Sequence, residues 1–526
     1  MRKVLLVVID ALASRVVLPA LEEHRLPCLA ELVRRGVLRP ECTSIFPSIT
    51  PAATASIATG VYPTEHEIAG AFWYNREDDR VAYYGDDFWV VIDEGMDEFF
   101  NDFMVRLNHD RLHADTLYER VERNGLTAAV INYMWYRGRT RHEVDVPWLF
   151  KLMPNISVAS EISGPQVLAM ADFAASKIPG RDEKLSATGG ISRRFGFHDD
   201  TTADYLMHLA SADPFPEFTL AYFPNNDYDS HADGPVEALD TLEKVDTHLA
   251  EFIKQMGGMD QFLENFAIVI CGDHSQTDQL RDPDGRGINL VEILEGYQLT
   301  TAGQPWEETD ELMVCPNMRA CHIYLKDRSA TTRGEITERL LNDPRVDQVL
   351  WRDGAWEDAE SQKPINDPYN TYHIVNRSAS LKFHRVKDRD KATGRDPYGI
   401  NWICKGSLDV IDASVSEVGT FVYGEYPNAL ERIATGFCRY ADDMWVTAKP
   451  GCEFEINETA IHPGGSHGAL NRDDSLPPLI VAGIPDEVSI PESPRTIDIA
   501  PLCLEMLGLK READQLRQNR RAGTPH

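Results

Sequence analysis

The stretch Lys3-Val4-Leu5-Leu6-Val7-Val8-Ile9-Asp10 is a nearly unbroken apolar run that ends at a carboxylate. A run of this length and composition predicts a strand that is buried on both faces of a sheet. The same pattern returns at residues 218–223, followed by Asp227, and at residues 266–270, followed by Asp273. Open α/β sheets place reactive groups just beyond the carboxyl ends of parallel strands. We therefore expect the three carboxylates to meet at one edge of a mostly parallel sheet.

Two histidines follow the second and third carboxylates at close spacing. His231 lies four residues after Asp227, and His274 comes directly after Asp273. Carboxylates gathered at one place repel one another unless a cation neutralises them. A ligand set that mixes carboxylates and imidazoles suits a transition metal such as zinc or manganese. The pattern therefore indicates a metal-dependent enzyme.

A Thr-Pro pair predicts the start of a short helix between the first two carboxylates. Thr50 fits the N-cap, Pro51 the first helical position and Gly60 the residue just after the helix. The free N–H groups and the positive dipole end at a helix start attract a phosphate. A threonine hydroxyl is protonated at neutral pH and needs activation, which a metal ion can supply. Thr50 is therefore the candidate nucleophile, although an N-cap role alone would also explain it; Ser48 and Thr54 are the nearest alternatives.

The composition argues against several classes of partner. The 526 residues carry a formal net charge of −32, and the pI is near 4.9. Such a surface repels polyanions, so we expect neither a nucleic-acid polymer nor a membrane as a partner. Nine cysteines without a Cys-x-x-Cys pair are typical of reduced, mostly buried thiols in a cytoplasmic protein. No stretch approaches the ~18 apolar residues of a membrane span, and Asp10 interrupts the first apolar run too early for a secretion signal.

The secondary-structure pattern divides the chain into a core and an insert. Alternating strand-like and helix-like segments at both ends predict one α/β core formed by residues 1–280 and 426–526. Between them the pattern changes to two strands around a helix, followed by polar loops rich in Pro and Asp. We therefore expect a smaller α+β cap at residues 281–425. The core is expected to resume with a strand at residues 444–448.

Taken in order along the chain, these motifs resemble the alkaline phosphatase superfamily, and within it the type I phosphodiesterase/nucleotide pyrophosphatase family. The resemblance rests on Asp10, Thr50 ten residues before Gly60, Asp227-x-x-x-His231, Asp273-His274 and His467-Gly468. It implies an alkaline-phosphatase-like core, in which a mostly parallel sheet lies between helices, together with the smaller inserted cap.

The resemblance also implies two divalent metal ions, usually zinc in this family and manganese in related mutases. The ligands that it implies are Asp227, His231 and His467 for one ion, and Asp10, Asp273, His274 and the Thr50 oxygen for the other. His462 shares a Pro- and Gly-rich loop with His467 and is the alternative last ligand. His467 fits the family pattern better because Gly468 follows it.

The implied chemistry is hydrolysis of a phosphodiester or pyrophosphate bond in a small phosphate ester. Thr50 would attack phosphorus and form a phospho-threonine, which a second step hydrolyses. Nucleotide pyrophosphatases commonly carry an Asn three residues after the nucleophile, where this chain has Ala53. Phosphonoacetate-type C–P hydrolysis is an alternative activity, because it uses similar ligands and a threonine nucleophile, and the basic residues Arg137 to Arg141 could bind the substrate carboxylate. Phosphomonoester hydrolysis is a further alternative. A non-enzymatic, metal-stabilised binding scaffold is a remote third.

Two further residues are candidates for binding the substrate. Asn132 follows a predicted strand at residues 127–131 and could replace the missing donor to a phosphoryl oxygen. Arg137 lies in the basic run Tyr136-Arg137-Gly138-Arg139-Thr140-Arg141-His142, which could gather a phosphate or carboxylate through bidentate contacts. A surface loop paired with neighbouring acids explains this run equally well.

Overall fold

The computed structural model describes residues 2–76, 78–84, 102–145, 159–353, 367, 369–441 and 443–522, and the following statements concern these ranges. The largest core element is an eight-stranded sheet. From one edge to the other its strands are Val37–Arg39, Leu479–Ala482, Phe266–Cys271, Lys3–Ile9, Phe218–Phe223, Ala128–Ile131, Val167–Met170 and Ala174–Ala175. The five central strands are parallel and the outer ones antiparallel. The predicted α/β class with a mostly parallel sheet is confirmed.

Helices cover both faces of this first sheet, which explains why its central strand is apolar at every position from Val4 to Ile9. Val4, Leu6 and Val8 pack into one apolar cluster, and the alternate residues of the strand pack into a second cluster on the other face. The α-helices of the described chain are Ser14–Glu22, Pro27–Arg35, Thr50–Thr59, Pro63–His66, Leu117–Arg123, Asp199–Leu209, Asn225–Asp233, Leu239–Gln255, Met259–Asn265, Pro283–Arg286, Leu290–Ile293, Ala330–Asn342, Ala429–Gly436, Arg472–Ser475, Ile499–Met506 and Lys510–Ala522.

The register of the parallel strands brings their carboxyl ends to one edge. Ile9 pairs with Phe223, and Val8 pairs with Cys271. The backbone N–H of Asp10 donates to the Phe223 carbonyl at 3.0 Å, which continues the pairing one residue past the strand. The segments that follow the three strands therefore start side by side, as the sequence predicts.

A second eight-stranded sheet is formed by later parts of the chain. In spatial order its strands are Leu312–Asn317, Ala320–Leu325, Met444–Ala448, Val346–Arg352, Thr371–Val375, Ser380–Arg385, Asn401–Gly406 and Gly394–Arg395. The prediction that strand 444–448 belongs to the core sheet is wrong, because both of its backbone neighbours lie in this second sheet. A short apolar run fits either sheet, and its pattern does not specify the partner. The boundaries of the inserted cap, near 281 and 425, stay a prediction.

Short paired strands complete the described structure. They are Phe72–Asn75 with Arg80–Tyr83, Thr140–Glu143 with Glu161–Gly164, Thr277–Asp278 with Gly465–Ser466, Gly287–Asn289 with Glu453–Glu455, and Ala413–Val415 with Phe421–Tyr423. The pairing of Thr277 with Ser466 matters most for function, because it brings together the chain segments that follow Asp273 and precede His467.

Two expectations from composition can be compared with the structure. The nine cysteines all lie in the described ranges as free thiols, and eight of them are buried, as expected. Within the described ranges, no helix combines the length and the apolar character that a membrane crossing requires.

Arg319 connects the second sheet to the loops that follow the first. It lies in the turn between the first two strands of the second sheet, and its fully buried guanidinium pairs with Asp474. The guanidinium also donates to Thr277 Oγ1 at 2.8 Å. Its backbone N–H donates to the carbonyl of His467 at 2.9 Å. One residue of the second sheet therefore holds two loops at the edge where the carboxylates meet.

Replacing Arg319 by Met should destabilise the protein strongly. The change leaves the Asp474 carboxylate buried without its ion-pair partner, and breaking such a pair costs ~3–5 kcal/mol. We expect a clear fall in the Tm measured by scanning calorimetry. Arg25→Met is the matched control, because Arg25 pairs with Glu243 at the surface, where ion pairs contribute little. Equal Tm values for the two variants would contradict the linking role of Arg319.

Candidate active site and metal centre

The predicted metal ligands converge at the carboxyl ends of the central strands. Asp10 follows strand Lys3–Ile9 directly, and Asp273 and His274 follow strand Phe266–Cys271. The other three ligands lie on a helix and a loop at the same edge: Asp227 and His231 on helix Asn225–Asp233, and His467 directly after strand Gly465–Ser466. The structure therefore brings together side chains that are more than 450 residues apart in the sequence.

Helix Asn225–Asp233 explains the four-residue spacing of Asp227 and His231. Residues i and i+4 face the same side of a helix, and His231 Nε2 lies 3.3 Å from Asp227 Oδ2. The buried Asn226 side chain donates to the backbone carbonyl of Asp10 at 2.8 Å, which ties the helix to the end of the central strand. The helix thus presents one ligand pair toward the other ligands.

Each of the three histidines is oriented by a hydrogen bond to a backbone carbonyl. Each places Nδ1 next to a backbone carbonyl: His231 with Gly465 at 2.8 Å, His274 with Ser275 at 3.0 Å and His467 with Ser48 at 2.7 Å. A carbonyl can only accept, so Nδ1 carries a proton in each ring, and in the neutral ring Nε2 carries the lone pair. Metal-binding histidines are typically held in this way. All three Nε2 atoms face the carboxylates.

The ligand atoms form two overlapping groups that share Asp227. One group is Asp227, His231 and His467, and the other is Asp10, Asp227 and His274, with the ligand atoms of each group within 4.8 Å of one another. Asp273 Oδ2 lies 3.4 Å from His274 Nε2, next to the second group. The first group is the set that the resemblance implies. In the second, Asp227 also comes close enough to contribute an oxygen.

Several of these atoms are buried without a hydrogen-bond partner among the described residues. They are Asp10 Oδ1, Asp273 Oδ2, His231 Nε2 and His467 Nε2. A buried polar atom without a partner costs ~1–3 kcal/mol and is rare in native proteins. All four are atoms that can accept, and they lie in one cluster. A divalent transition metal binds to such atoms. The residues present therefore fit a metal centre.

The electrostatics of the cluster also favour a cation. Burial raises the pKa of Asp10 well above its ordinary value, and the negative charges of Asp273 and Asp227 raise it further. Burial likewise raises the pKa of Asp273. For Asp227 burial acts in the same direction, but the neighbouring His231 and His467 outweigh it, and its pKa is lowered. Two of the three carboxylates are thus poorly stabilised as anions by the protein alone.

Thr50 directs its hydroxyl at this cluster. It is the first residue of helix Thr50–Thr59, and its Oγ1 lies 3.0 Å from His274 Nε2. The expectation that Thr50 is the N-cap is wrong: Ile49 holds that position, and no side chain caps the helix. Ser48 instead donates to the carbonyl of Ala469 at 2.9 Å, and Thr54 donates to the carbonyl of Thr50. Of the three candidate hydroxyls, Thr50 is therefore the one that faces the ligands.

His467, rather than His462, lies in a group of side chains whose geometry could hold a metal ion. His467 Nε2 lies 3.5 Å from Asp227 Oδ1, whereas the His462 ring packs on His231 with a centroid distance of 4.0 Å. Gly468 permits the tight loop, because its φ is +121° and a Cβ there would lie 2.7 Å from the carbonyl oxygen of Asn317. The structure therefore agrees with the His467-Gly468 motif.

Asn132 is not available as a donor to a phosphoryl oxygen. Its amide nitrogen donates to the Gly196 carbonyl at 3.0 Å and to Thr202 Oγ1 at 2.9 Å. Its amide oxygen accepts from the Ala171 N–H at 2.7 Å. Although Asn132 lines the cavity beside Thr50, both of its N–H groups hold neighbouring loops in place. The sequence-based assignment of Asn132 to the substrate is corrected accordingly.

Arg137 has a structural role as well. Its guanidinium pairs with Glu119 at 3.0 Å and donates to the carbonyls of Leu112 and Ala114. It is not among the residues that line the cavity at Thr50. Its cationic side chain therefore holds the segment around helix Leu117–Arg123, which corrects the assignment of Arg137 to substrate binding.

A cavity of about 630 Å³ opens at Thr50 and at the ligand cluster. Most of its wall is apolar, formed by residues such as Met134, Phe173 and Phe197. Two polar residues of its wall, Arg194 and Tyr228, were missed by the sequence analysis. Tyr228 directly follows Asp227 and could have been found from that position, but no local motif marks Arg194.

A helix-start threonine that faces carboxylates and imidazoles beside a cavity defines a hydrolase of the metal-dependent phosphoryl-transfer class. The chain belongs to the type I phosphodiesterase/nucleotide pyrophosphatase family, whose family model matches residues 4–357. It is therefore a member of the alkaline phosphatase superfamily and an enzyme of the phosphodiesterase/nucleotide pyrophosphatase type. This family is metal-dependent, in agreement with the ligand cluster.

Solved structures show the same fold. Murine ectonucleotide pyrophosphatase/phosphodiesterase 5, an inactive threonine-to-alanine variant in complex with AMP, superposes with a TM-score of 0.54 at 12% identity, over 97% of this chain and 96% of that one. The human protein of the same name gives a TM-score of 0.53 at 13% identity, over 96% and 95%. No curated protein matches the chain by sequence.

Asp10→Asn should have opposite effects on the metal-free and metal-loaded protein. The change removes one of the buried negative charges that raise the free energy of the metal-free cluster, so we expect a higher Tm in the presence of a chelator. With Zn²⁺ added, the variant should gain less in Tm than the wild type, because it has lost an anionic ligand. Thermal scans of both proteins with chelator and with Zn²⁺ test this. A lower Tm of Asp10→Asn in chelator would contradict the repulsion between the carboxylates.

Proposed function

We propose that this protein is a two-metal hydrolase that cleaves a phosphodiester or pyrophosphate bond of a small molecule through a phospho-threonine on Thr50. The observation that carries the proposal is the position of Thr50 Oγ1, 3.0 Å from His274 Nε2 and at the edge of two overlapping ligand groups. A hydroxyl with only a capping or packing role would have no reason to face a cluster of metal ligands.

The proposed ligands are those that the resemblance implies: Asp227, His231 and His467 for one ion, and Asp10, Asp273, His274 and Thr50 for the other. The mixture of imidazole and carboxylate favours zinc, and manganese is the alternative. When bound, two such ions supply charge stabilisation to the reacting phosphoryl group and lower the pKa of a coordinated hydroxyl.

In the proposed reaction Thr50 Oγ1 loses its proton to solvent and forms a bond to phosphorus. The bond between phosphorus and the leaving-group oxygen breaks at the same time, and that oxygen leaves with the electron pair and takes up a proton from solvent. Water then hydrolyses the threonyl phosphate and restores the hydroxyl. The chain holds the reacting groups in place through the helix start at Thr50 and through Asn226, which fixes the end of the central strand. Free N–H groups at the start of a helix stabilise negative charge on a phosphoryl group.

The cavity and the structural relative support a small substrate. A volume of about 630 Å³ is in the range of small-molecule sites. The murine relative was solved in complex with AMP, and we propose a nucleotide-like or other small phosphodiester for this chain. Ala53 lies buried inside helix Thr50–Thr59 and offers no polar group to a phosphoryl oxygen. The phosphonoacetate alternative relied on the run around Arg137, which the structure shows in other contacts, and we do not propose it.

Replacing Thr50 by Ala should abolish turnover and leave the fold and metal content unchanged. Removing a catalytic nucleophile typically lowers kcat by ~10³-fold or more. Rates on bis-(p-nitrophenyl) phosphate, with elemental analysis of the bound metal, test this. Ser48→Ala is the control, because the Ser48 hydroxyl donates to a backbone carbonyl. Hydrolysis by Thr50→Ala at the wild-type rate would contradict the proposed nucleophile.

A substrate panel should separate the diesterase from the monoesterase. We expect the zinc-loaded enzyme to hydrolyse bis-(p-nitrophenyl) phosphate with a higher kcat/KM than p-nitrophenyl phosphate, and not to cleave phosphonoacetate. The order should follow because the largely apolar wall of the cavity can pack against the second ester arm, which a monoester lacks. A preference for the monoester would identify the protein as a phosphomonoesterase instead.

A further inference from the structure

The cavity contains a cationic side chain to which the proposed reaction assigns no role. Among the described residues that line it, Arg194 is the one with a permanently positive side chain. This is unusual in a chain with a formal net charge of −32. No carboxylate of the described residues lies within 4.0 Å of its guanidinium nitrogens, whereas the adjacent Arg193 pairs with Asp204 at 3.0 Å and with Asp200 at 3.4 Å.

The guanidinium of Arg194 is held in a defined position without a direct ion pair among the described residues. Its Cζ lies 4.4 Å from the centroid of the Tyr228 ring, and one of its nitrogens donates to Asn225 Oδ1. Stacking on an aromatic ring leaves the edge of a guanidinium free to donate. Both supporting residues belong to helix Asn225–Asp233, which also carries the ligands Asp227 and His231. Arg194 is thus fixed to the helix that supports one of the ligand groups.

The backbone around Arg194 supports the same interpretation. Arg194 and Phe195 both have left-handed backbone angles, with φ of +50° and +53°. Such conformations are costly for residues other than glycine, and they persist where the surroundings enforce them. The Phe195 N–H donates to the carbonyl of Gly190 and its own carbonyl accepts from Asp172, both at 2.9 Å. These bonds hold a strained turn that places Arg194 on the cavity wall.

We propose that Arg194, stacked on Tyr228, binds an anionic group of the substrate that is remote from the scissile phosphoryl group. The substrate class is a phosphodiester or pyrophosphate with one arm that ends in a carboxylate or a terminal phosphate. Both groups match the fork of N–H donors of a guanidinium. The inference rests on the proposed function, because it assumes that a phosphodiester occupies the cavity at Thr50. Tyr228 is 55% exposed, so an arm of the substrate can reach the pair from the open side.

Three p-nitrophenyl phosphodiesters with the same leaving group test this assignment. Their second arms are butyl, 3-carboxypropyl and 3-phosphonooxypropyl, so they differ in remote charge and the two anionic arms separate carboxylate from phosphate. The wild type should show a higher kcat/KM for at least one anionic arm than for butyl. Arg194→Gln should lower that anionic-to-neutral ratio about 10- to 100-fold, the usual effect of losing a charge-assisted hydrogen bond. Arg194→Lys should restore part of the ratio, because lysine keeps the positive charge but lacks the paired N–H donors of a guanidinium.

Arg193→Gln is the matched control and should leave the ratio unchanged, because Arg193 pairs with acids away from the cavity. Should Arg194→Gln fail to fold, Tyr228→Ala at the exposed supporting position should lower the ratio by about 2- to 5-fold. An unchanged ratio in Arg194→Gln, an equal loss on all three diesters, or no preference of the wild type for either anionic arm would overturn the proposal.

A binding measurement separates failure of this inference from failure of the proposed function. Calorimetric titration of the Thr50→Ala variant with the same diesters reports affinity without turnover. Adding Arg194→Gln to this variant should weaken binding of the anionic arms about 10- to 100-fold relative to butyl. Absence of hydrolysis by the wild type would count against the proposed function, while the titration would still decide the role of Arg194.

Discussion

Three carboxylates, Asp10, Asp227 and Asp273, lie against one another at the carboxyl edge of the first sheet, and most of the site follows from their repulsion. Within the described residues, no Lys or Arg lies within 4.0 Å of them, and the basic side chains that do are histidines. Those histidines present Nε2 lone pairs, because each Nδ1 donates to a carbonyl. The protein thus gives each carboxylate a neutral donor, from Tyr222, Ala11 or Gln276, and places further acceptor atoms on the side that the three carboxylates share. Acceptors gathered in this way favour a cation between them.

The position of Thr50 suggests a catalytic role because its hydroxyl faces this cluster. The first sheet brings Asp10 and Asp273 together through strand register alone, and helix Asn225–Asp233 adds a ligand pair by its i, i+4 spacing. Helix Thr50–Thr59 then directs its first hydroxyl at the cluster. The second sheet contributes support from outside, because Arg319 holds the loop that carries His467. The family assignment and the ectonucleotide pyrophosphatase fold agree with this arrangement.

The central sheet and the convergence of the candidate metal ligands could be predicted from the sequence because their signals are local. A fully apolar run of strand length that ends at an acid predicts both a buried strand and the place of the acid, and parallel register then brings the acids together. The four-residue spacing of Asp227 and His231 also predicts that the two side chains lie on the same face of a helix. The identity of the metal, the number of ions and a cytoplasmic location stay predictions.

The errors concern residues whose role depends on partners distant in the sequence. Strand Met444–Ala448 has an apolar pattern that fits either sheet, and no local motif predicts which strands pair with it. Asn132 and Arg137 carry donors of the expected kind, but those donors are used by the loops beside them. Arg194 was missed for the same reason, because its place in the cavity depends on a strained turn and on a ring 34 residues later in the chain.

Anomalous diffraction from crystals grown with zinc would locate the two proposed ions. We expect two strong peaks at the zinc edge, each within ~2.0–2.2 Å of nitrogen or oxygen atoms of its ligands. One peak should lie among Asp227, His231 and His467, and the other beside Asp10, Asp273, His274 and the Thr50 hydroxyl. A map without peaks at these side chains, from protein crystallised with excess zinc, would contradict the proposed metal centre.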